Sequence, residues 1–337
     1  MRVFVTGHRG YIGCRVVEVL KEAGHSVTGC DLDLFAGCEW EPLPPPDREL
    51  ICDVRALTAA DLDGHDCVVH LAAISNDPMG ELDPEQTMST NRDGALRVAT
   101  TARDAGVGRF LLAGSCSVYG RAAKPAMTED DPLSPLTAYA RSKIEAEGAI
   151  APLATDGFTP VFLRAATAYG QSPMLRVDLV VNNLLACAYA TGSIRIMSDG
   201  SPWRPLVHCR DLARAFLTLA EAPAEAVCGR VVNVGANEEN YRVREIADLV
   251  QGLLPEAEIV YTGEAGEDPR SYRVSFDLLH ELLPGFRLEY TLAEGMEELL
   301  RKLERHGFSR TDWEGPRFVR MRTLRDRFAL LGPPAIA

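Results

Sequence analysis

The sequence predicts an α/β protein built on a doubly wound parallel sheet, with a smaller, discontinuous C-terminal α/β lobe. In the first two-thirds of the 337 residues, short apolar runs alternate with amphipathic stretches, which is the pattern of repeated βα units. Runs such as VFVTG and RFLLAG are almost wholly apolar, as expected for strands buried on both faces. A glycine-rich turn follows the first run directly, where such folds bind nucleotides.

Each element is predicted from its own pattern of apolar and polar residues. Strands are expected at Arg2–Val5, Ser26–Asp31, Glu49–Cys52, Cys67–Leu71, Arg109–Ala113 and Pro160–Arg164. Helices are expected at Tyr11–Glu22, Arg92–Ala105 and Ala138–Thr155. The later half is mainly helical, with short strands at Arg230–Val234 and Glu258–Tyr261. Proline donates no main-chain hydrogen bond, so the Pro-rich stretches 40–47 and 125–135 are predicted loops.

The composition divides the chain into three predicted parts. Residues 1–170 are expected to form a Rossmann domain that binds the cofactor, with segments near 205–235 returning to it. Residues 171–305 are expected to form most of the substrate-binding lobe. Residues 306–337 form a basic tail, since six arginines stand against three acids between Arg310 and Arg327. This tail is predicted either to pack back on the body or to bind a partner.

Charge and hydropathy exclude several classes of partner. The net charge of −13 disfavours nucleic acid, whose phosphates it would repel. No apolar run reaches the roughly 20 residues that span a bilayer, and the first residues do not resemble a signal peptide, so a cytoplasmic protein is expected. The nine cysteines are odd in number and form no CxxC pair, which predicts buried thiols in a reducing compartment and no metal site.

A dinucleotide site is predicted at the start of the chain. Gly7, Gly10 and Gly13 lie between the first strand and the first helix, where glycine lets the main chain approach a diphosphate. Asp31 ends the second strand, where it can accept hydrogen bonds from ribose hydroxyls. Asp31 would repel a 2′-phosphate and favours NAD, whereas Arg9 could pair with that phosphate and favours NADP. NAD is the predicted cofactor.

Tyr139 and Lys143 form a candidate proton-transfer pair, because a spacing of four places them on one helix face. The pKa of a free tyrosine is about 10. A neighbouring ammonium, with the positive charge of an oxidised nicotinamide, is expected to lower that pKa, so that the tyrosine can take a proton from a substrate hydroxyl. The YxxxK spacing alone is often structural. Ser115, just after the fifth strand, gives the pair its context, since its hydroxyl could bind the same substrate oxygen.

Taken together, these segments resemble the extended short-chain dehydrogenase/reductase family. The likeness is carried by the glycine loop, Asp31, CDV, HLAA, Asn91, SCSVYG and YARSK. It covers roughly residues 1–300 and is closest to the nucleotide-sugar epimerase/dehydratase branch, typified by the UDP-glucose 4-epimerases. Besides the glycines and Asp31, the residues that the resemblance implies near the cofactor are Tyr11, Ile12, Asp53, Val54, Leu71, Ala72, Ala73, Asn91, Tyr139 and Lys143.

The two residues after Ser115 reduce the number of reactions that the resemblance leaves open. Members of this branch first oxidise a sugar carbon, commonly C4, to a ketone. The related 4,6-dehydratases place Asp and Glu directly after the catalytic Ser or Thr, and the decarboxylases also use a Glu nearby. Here Cys116 and Ser117 occupy those positions. The prediction is a nucleotide-sugar 4-epimerase that retains NAD. A 4-keto-sugar reductase using NAD(P)H and a non-catalytic NAD-binding scaffold are the alternatives.

Three substrate residues are implied by the same resemblance. Asn183 matches an Asn that contacts the nucleotide, Arg204 matches an Arg that pairs with the diphosphate, and Asp268 matches an acid that helps hold the ribose. The expected partner is therefore a nucleotide sugar. A homodimer through the helices at 92–105 and 138–155 is the assembly that the resemblance implies.

The residues expected beside the sugar depart from the pattern of the family. Thr167 replaces the Asn that contacts the sugar, and Ala166 replaces a bulky residue that faces the cofactor. A modified or deoxy sugar is therefore expected. Arg176 and Asp178 are predicted either to contact this sugar or to form a structural ion pair.

Overall fold

The structure is a computed structural model that describes residues 1–122, 124–263 and 270–331. Its strands are β1 (Arg2–Thr6), β2 (Ser26–Asp31), β3 (Arg48–Ile51), β4 (Cys67–His70), β5 (Arg109–Ser115), β6 (Thr159–Ala165), β7 (Thr167–Tyr169), β8 (Ser193–Ile196), β9 (Trp203–His208), β10 (Val231–Val234), β11 (Asn240–Arg242) and β12 (Glu258–Tyr261).

The α-helices alternate with the first strands and dominate the later part of the chain. They are α1 (Tyr11–Glu22), α2 (Ala59–Leu62), α3 (Asp77–Gly80), α4 (Pro84–Met88), α5 (Gly94–Asp104), α6 (Ala138–Ile150), α7 (Val180–Thr191), α8 (Cys209–Glu221), α9 (Ala224–Val227), α10 (Val243–Leu253), α11 (Asp277–Leu282), α12 (Leu292–His306), α13 (Arg310–Glu314) and α14 (Arg320–Arg327).

Seven strands form one parallel sheet in the order β10-β6-β5-β4-β1-β2-β3. The chain runs outward from β1 to β3 and then returns to place β4 on the other side of β1. Such a reversal opens a crevice at the carboxyl ends of the strands. Two smaller sheets, β11-β9-β7 and β12-β8, lie in the later part of the chain. The predicted fold class, a doubly wound parallel sheet with a smaller lobe, is confirmed.

The sheet is covered on both faces, which explains its continuous apolar strands. Val3 and Val5 on one face of β1 join a buried cluster with α1 and α8. Phe4, which points to the opposite face, joins a second cluster with α5 and α6. A third cluster, centred on α7, α10 and α12, forms the core of the later lobe.

Two predicted helices have different ends in the structure. The helix predicted at Ala138–Thr155 ends at Ile150 and is followed by a 3₁₀ turn over Ala151–Leu153, because Pro152 donates no hydrogen bond to an α-helix. The helix predicted at Arg92–Ala105 begins earlier, in a π-helical turn over Ser89–Asp93. Strand β5 runs two residues further than predicted, so Ser115 is its last residue.

All nine cysteines are free thiols, and Cys228 is the exposed one. Within residues 1–122, 124–263 and 270–331, no group of three His, Cys, Asp or Glu side chains could hold a metal ion. In the same ranges no helix is long and apolar enough to cross a membrane.

Candidate active site

The carboxyl ends of β1, β2 and β4 border a cleft of about 1170 Å³, here called the cofactor cleft. Eleven of the residues predicted near the cofactor line it. They are Gly7, Gly10, Tyr11, Ile12, Gly13, Asp31, Asp53, Val54, Leu71, Ala72 and Ala73. These eleven residues come from segments that are up to 66 residues apart in the sequence.

The glycines bring the main chain to the surface of the cofactor cleft. Gly7 has a φ of +71°, and a Cβ there would lie 2.8 Å from the main-chain nitrogen of Ala72. A Cβ on Gly13 would lie 2.0 Å from the carbonyl oxygen of Gly7. Gly10 precedes α1, and no side chain among the described residues caps the first amide groups of this helix. The turn and the uncapped helix N-terminus together fit the diphosphate of a dinucleotide.

The surroundings of Asp31 and Arg9 bear on whether the cleft binds NAD or the 2′-phosphate of NADP. The Asp31 carboxylate accepts hydrogen bonds from the main-chain nitrogens of Arg9 (3.0 Å) and Asp33 (2.8 Å), and burial raises its pKa. The Arg9 guanidinium is paired with Asp33 and Glu49, both at 2.9 Å. Hydrogen bonding by Arg9 lowers the pKa of Glu49 to about 2. Arg9 is thus neutralised by two carboxylates, which favours NAD over NADP.

Ser115, Tyr139 and Lys143 line a second cleft of about 1320 Å³, here called the catalytic cleft, next to the cofactor cleft. Thr137 begins α6 by accepting a hydrogen bond from the nitrogen of Ala140, which fixes the first turn that carries Tyr139. Tyr139 and Ser115 share a hydrogen bond. The Lys143 ammonium donates to the Ala113 carbonyl at 2.8 Å and lies 5.7 Å from the centre of the Tyr139 ring. The three predicted catalytic side chains therefore face one space.

The protein groups around Tyr139 do not by themselves lower its pKa, so the lowering expected from Lys143 together with an oxidised nicotinamide stays a prediction. Burial raises the pKa of Tyr139 to about 12, the charge of Asp77 raises it further, and Ser115 and Arg176 oppose this. Burial also lowers the pKa of Lys143 to about 8. The lysine bonds to a carbonyl and lies over the aromatic ring, so desolvation outweighs its attraction for a phenolate.

Two ion pairs lie in the catalytic cleft. The sequence predicted the first as one of two alternatives and did not predict the second. Arg176 pairs with Asp178 at 2.9 Å and donates to the Ser75 hydroxyl at 2.7 Å. The structure therefore contains the ion pair that was one of the two predicted roles, and both residues also line the cleft. Asp77 accepts a hydrogen bond from Arg270 at 2.5 Å. Its position just beyond the carboxyl end of β4 is the signal that could have identified it.

The residues after Ser115 carry no carboxylate into the cleft. Cys116 is buried, its thiol donates to the carbonyl of Arg164 at 3.2 Å, and burial raises its pKa. The Ser117 hydroxyl accepts a hydrogen bond from the Ser115 hydroxyl at 3.0 Å. Neither side chain has the chemistry of a general acid and base pair near neutral pH.

Two of the four predicted substrate residues line the catalytic cleft. Thr167 and Arg204 line the catalytic cleft, and Arg204 donates to the carbonyls of Trp203 (2.8 Å) and Arg270 (2.6 Å). The Asn183 amide instead donates to the carbonyl of Val177 at 2.8 Å, and Asn183 does not line the cleft in the part of the chain that the structure describes. Asp268 lies outside the described residues.

Asn91 links two segments of the site through buried hydrogen bonds. Its amide accepts a hydrogen bond from the nitrogen of Ile74 (2.8 Å) and donates to the Ser142 hydroxyl (3.0 Å). Ser142 in turn donates to the carbonyl of Tyr139. Asn91 therefore connects the loop after β4, which borders the cofactor cleft, to α6, which carries Tyr139 and Lys143.

Tyr11 belongs to both clefts. Its hydroxyl donates to the carbonyl of Gly170 at 2.7 Å and accepts a hydrogen bond from Asn182 of α7 at 3.2 Å. Asn182 also accepts from the nitrogen of Gly170. The first residue of the cofactor-binding helix is thus bonded to the lobe predicted to bind the substrate.

The chain is similar to several named proteins. The chain is 29% identical over 313 residues to UDP-glucose 4-epimerase of Mycolicibacterium smegmatis, covering 88% of this chain and 96% of that one. It is 26% identical over 317 residues to UDP-glucuronic acid decarboxylase 1 of Danio rerio, covering 90% and 73% of the two chains. The solved structure of MoeE5 in complex with UDP-glucose and NAD is 28% identical, with a TM-score of 0.77 and coverage of 90% and 99%.

A family-level match covers more than half of the chain. The sequence model of the NAD dependent epimerase/dehydratase family matches residues 3–235, from β1 to the end of β10 together with the next residue. The NAD dependence of that family agrees with the cofactor predicted from the glycine turn and Asp31. The glycine turn, the Ser115, Tyr139 and Lys143 set and this match place the chain in the NAD-dependent epimerase/dehydratase family.

Proposed function

We propose that this protein is a nucleotide-sugar 4-epimerase, which oxidises C4 of the sugar transiently and returns the hydride to the opposite face. The observation that carries the proposal is the absence of an available acid and base pair beside Ser115, in residues 1–122, 124–263 and 270–331. Elimination of water needs such groups in addition to the redox set, and the related decarboxylases resemble one another in using a Glu there, whereas epimerisation needs the redox set alone.

In the part of the chain that the structure describes, two carboxylates line the catalytic cleft outside the cofactor cleft, and arginines hold both of them. Asp77 pairs with Arg270 at 2.5 Å. Burial works against ionisation of Asp178, but attraction to Arg176 keeps its pKa below the usual value. A carboxylate held in its ionised form, as that of Asp178 is, cannot donate a proton to a leaving hydroxyl. Both acids therefore support the position of their arginines better than they support an elimination.

Within this proposal the proton moves at the phenolic oxygen of Tyr139. That oxygen takes the proton of the C4 hydroxyl, and Ser115 holds the same substrate oxygen through its own hydroxyl. The bound cofactor supplies the hydride acceptor and donor. Because the pKa of Tyr139 is about 12 before ligands bind, the tyrosine is protonated at neutral pH and first acts as a hydrogen-bond donor. Additional positive charge beside it is required before it can act as a base.

The part of the cleft wall proposed to lie beside the reacting sugar leaves room for that sugar to rotate between the two hydride transfers. It consists of four small side chains in sequence, at residues 165–168, all of which line the catalytic cleft. Ala166, in this wall, replaces a bulky residue of the resembling enzymes. The space left by these small residues is also consistent with the modified or deoxy sugar expected from Thr167.

The substrate is proposed to bind through its diphosphate at Arg204, which is 8% exposed and turned into the cleft. A planar guanidinium can contact two phosphate oxygens at once. The homodimer implied by the resemblance, through α5 and α6, remains a proposal. Light scattering during size-exclusion chromatography would test it, and a monomer mass would contradict it.

The deciding experiment measures what the purified protein carries. The protein is denatured, and the supernatant is assayed for NAD and NADH. An epimerase regenerates its cofactor in each cycle, so we expect about one NAD(H) per chain and no net consumption during turnover of UDP-, dTDP-, GDP- and CDP-sugars. Stoichiometric cofactor consumption would instead identify the 4-keto-sugar reductase. Cofactor binding without turnover of any of these sugars would favour the scaffold.

A further inference from the structure

The C-terminal segment forms a wall of the cofactor cleft, although it follows the family-matched region 3–235 by 80 residues. We call residues 316–331 the C-terminal strap. It contains α14 and a 3₁₀ turn over Phe328–Leu331. Three of its side chains, Arg320, Leu324 and Leu331, line the same cleft as the glycine turn.

Apolar contacts fix the strap to both edges of the cofactor cleft. Leu324 and Leu331 are 2% and 4% exposed. They pack in one cluster with Ile74 and Met79, which follow β4, and with three residues that follow β2 (Leu32, Leu34 and Phe35). The segments after β2 and β4 are the two sides between which the cleft opens. The strap therefore bridges the opening of the cleft.

Hydrogen bonds hold the C-terminal part of the strap. Arg327 donates to the carbonyls of Leu34 and Ala36, each at 2.8 Å. The carbonyl of Leu331 accepts a hydrogen bond from Arg55, which is itself paired with Asp53 at 2.6 Å. Since Asp53 lines the cofactor cleft, the end of the strap lies at the part of the cleft that the resemblance assigns to the adenine.

Arg320 brings a buried positive charge to this wall. It is 2% exposed, and its guanidinium donates to the carbonyls of Arg317, Met174 and Leu175 at 2.5–3.1 Å. Burial lowers its pKa to about 10. A buried cation whose direct partners are neutral carbonyls is costly, and an anionic ligand in the cleft would offset that cost. The diphosphate of the dinucleotide is such an anion.

We propose that the C-terminal strap retains the cofactor: Arg320 pairs with the diphosphate, Leu324 and Leu331 cover the adenosine half, and the strap must detach before the dinucleotide can leave. The inference rests on NAD as the cofactor and does not depend on which sugar reaction follows. It assigns to the basic tail a role in the site itself.

The first test measures NAD release. The wild type, Arg320→Gln, Leu324→Ala and the control Arg325→Gln are loaded with NAD, and displacement by a fluorescent etheno-NAD is followed. Arg325 is exposed on the same helix, so its substitution removes a charge without touching the cleft. We expect release to be about tenfold faster in the two cleft variants and unchanged in the control, because such changes act mainly on dissociation. Equal rates in all four proteins would overturn the proposal.

The second test uses the wild type alone, so it does not depend on how a variant folds. Trypsin cleavage after Arg320, Arg322 and Arg325 is followed by mass spectrometry with and without NAD. A strap closed over the cofactor should be cut about tenfold more slowly when NAD is bound, because cleavage requires local opening. Cleavage after Arg310, which has a 72% exposed side chain, should not change. Equal protection at all sites, or none at the strap, would contradict the proposal. A wild type that binds NAD but turns over no sugar would count against the proposed epimerase and leave both strap tests valid.

Discussion

The Lys143 ammonium lies 2.8 Å from the main-chain oxygen of Ala113, two residues before Ser115. This bond joins α6 to β5 at the point where Ser115 ends the strand. The two elements that supply the proposed catalytic side chains are therefore held in register by one of those side chains. The phenol of Tyr139 is left with Ser115 as a hydrogen-bond partner.

Replacing Tyr139 by Phe is expected to lower turnover by about 10²–10⁴-fold, since it removes a general acid and base. The fold should persist, because the change deletes only a hydroxyl from a buried ring. Thermal unfolding and single-turnover hydride transfer would measure the two effects.

Tyr169→Phe is the matched control for that variant. Tyr169 is also buried, its hydroxyl has no hydrogen-bond partner in the described part of the chain, and it does not line either cleft. We expect its activity to stay within about twofold of the wild type, because surface or unbonded groups away from a site contribute little. Comparable turnover in Tyr139→Phe and Tyr169→Phe would refute the role assigned to Tyr139.

Gly13→Ala is expected to damage the cofactor site far more than Gly10→Ala. The added Cβ at residue 13 would meet the Gly7 carbonyl oxygen at 2.0 Å, whereas at residue 10 it would meet the same atom at 3.1 Å. The first change must displace the glycine turn, at a cost of about 1–3 kcal/mol in unfolding free energy. Melting temperature and NAD affinity would be measured for both. Equal NAD affinity in the two variants would show that the turn does not bind the diphosphate.

Removing the two carboxylates that hold Arg9 should improve binding of NADP relative to NAD. In the double variant Asp33→Asn, Glu49→Gln the guanidinium can turn to a 2′-phosphate. The Arg9 side chain is 27% exposed, so the expected change in the NADP to NAD affinity ratio is modest, about 3–10-fold.

The control variant loses the same two negative charges at another place on the surface. Asp47→Asn, Glu22→Gln removes two carboxylates that pair with Lys21 and Arg210 on the surface. Dissociation constants for both dinucleotides would be compared by titration calorimetry. An identical ratio in the two double variants would mean that general charge, and not the release of Arg9, controls the preference.

Glu239 should make the stability depend on pH. Burial raises its pKa to about 7, so the folded protein binds this proton between the usual carboxyl pKa and pH 7 while the unfolded chain does not. The contribution of Glu239 to stability is therefore present at low pH and is lost as the pH rises to 7 and above. We expect Glu239→Gln to melt higher than the wild type at pH 8.5, and to lose this advantage at pH 4.5. Glu281→Gln, an exposed carboxyl on α11, is the control. Parallel melting curves against pH in the wild type and Glu239→Gln would refute the prediction.

The sheet and the glycine turn were predictable because their signals are local. A strand buried on both faces is a continuous apolar run, and Gly7 and Gly13 are required by contacts within a single turn and its neighbouring strand. The end of α6 at Ile150 was missed because the pattern continues beyond it. A proline two residues further on was the available signal.

The rest of the site depends on contacts between distant segments. Asp77 meets Arg270 across 193 residues, and Arg320 meets Met174 across 146. The sequence around each of these residues does not identify its distant partner. The rise in the pKa of Tyr139 caused by burial could not be predicted either, because desolvation depends on every element packed around the phenol and the YxxxK spacing reports only one neighbour.

Tyr11 connects the binding sites that we propose for two ligands. Its hydroxyl is bonded to Gly170 and Asn182, so the lobe proposed to bind the sugar nucleotide also positions the first turn of the cofactor helix. If this contact couples the two sites, any factor by which one ligand tightens the other must, by reciprocity, act equally in the opposite direction. Substrate binding and cofactor retention would then be one coupled equilibrium, and a substitution at Tyr11 that breaks the contact would change the coupling free energy that the two ligands share.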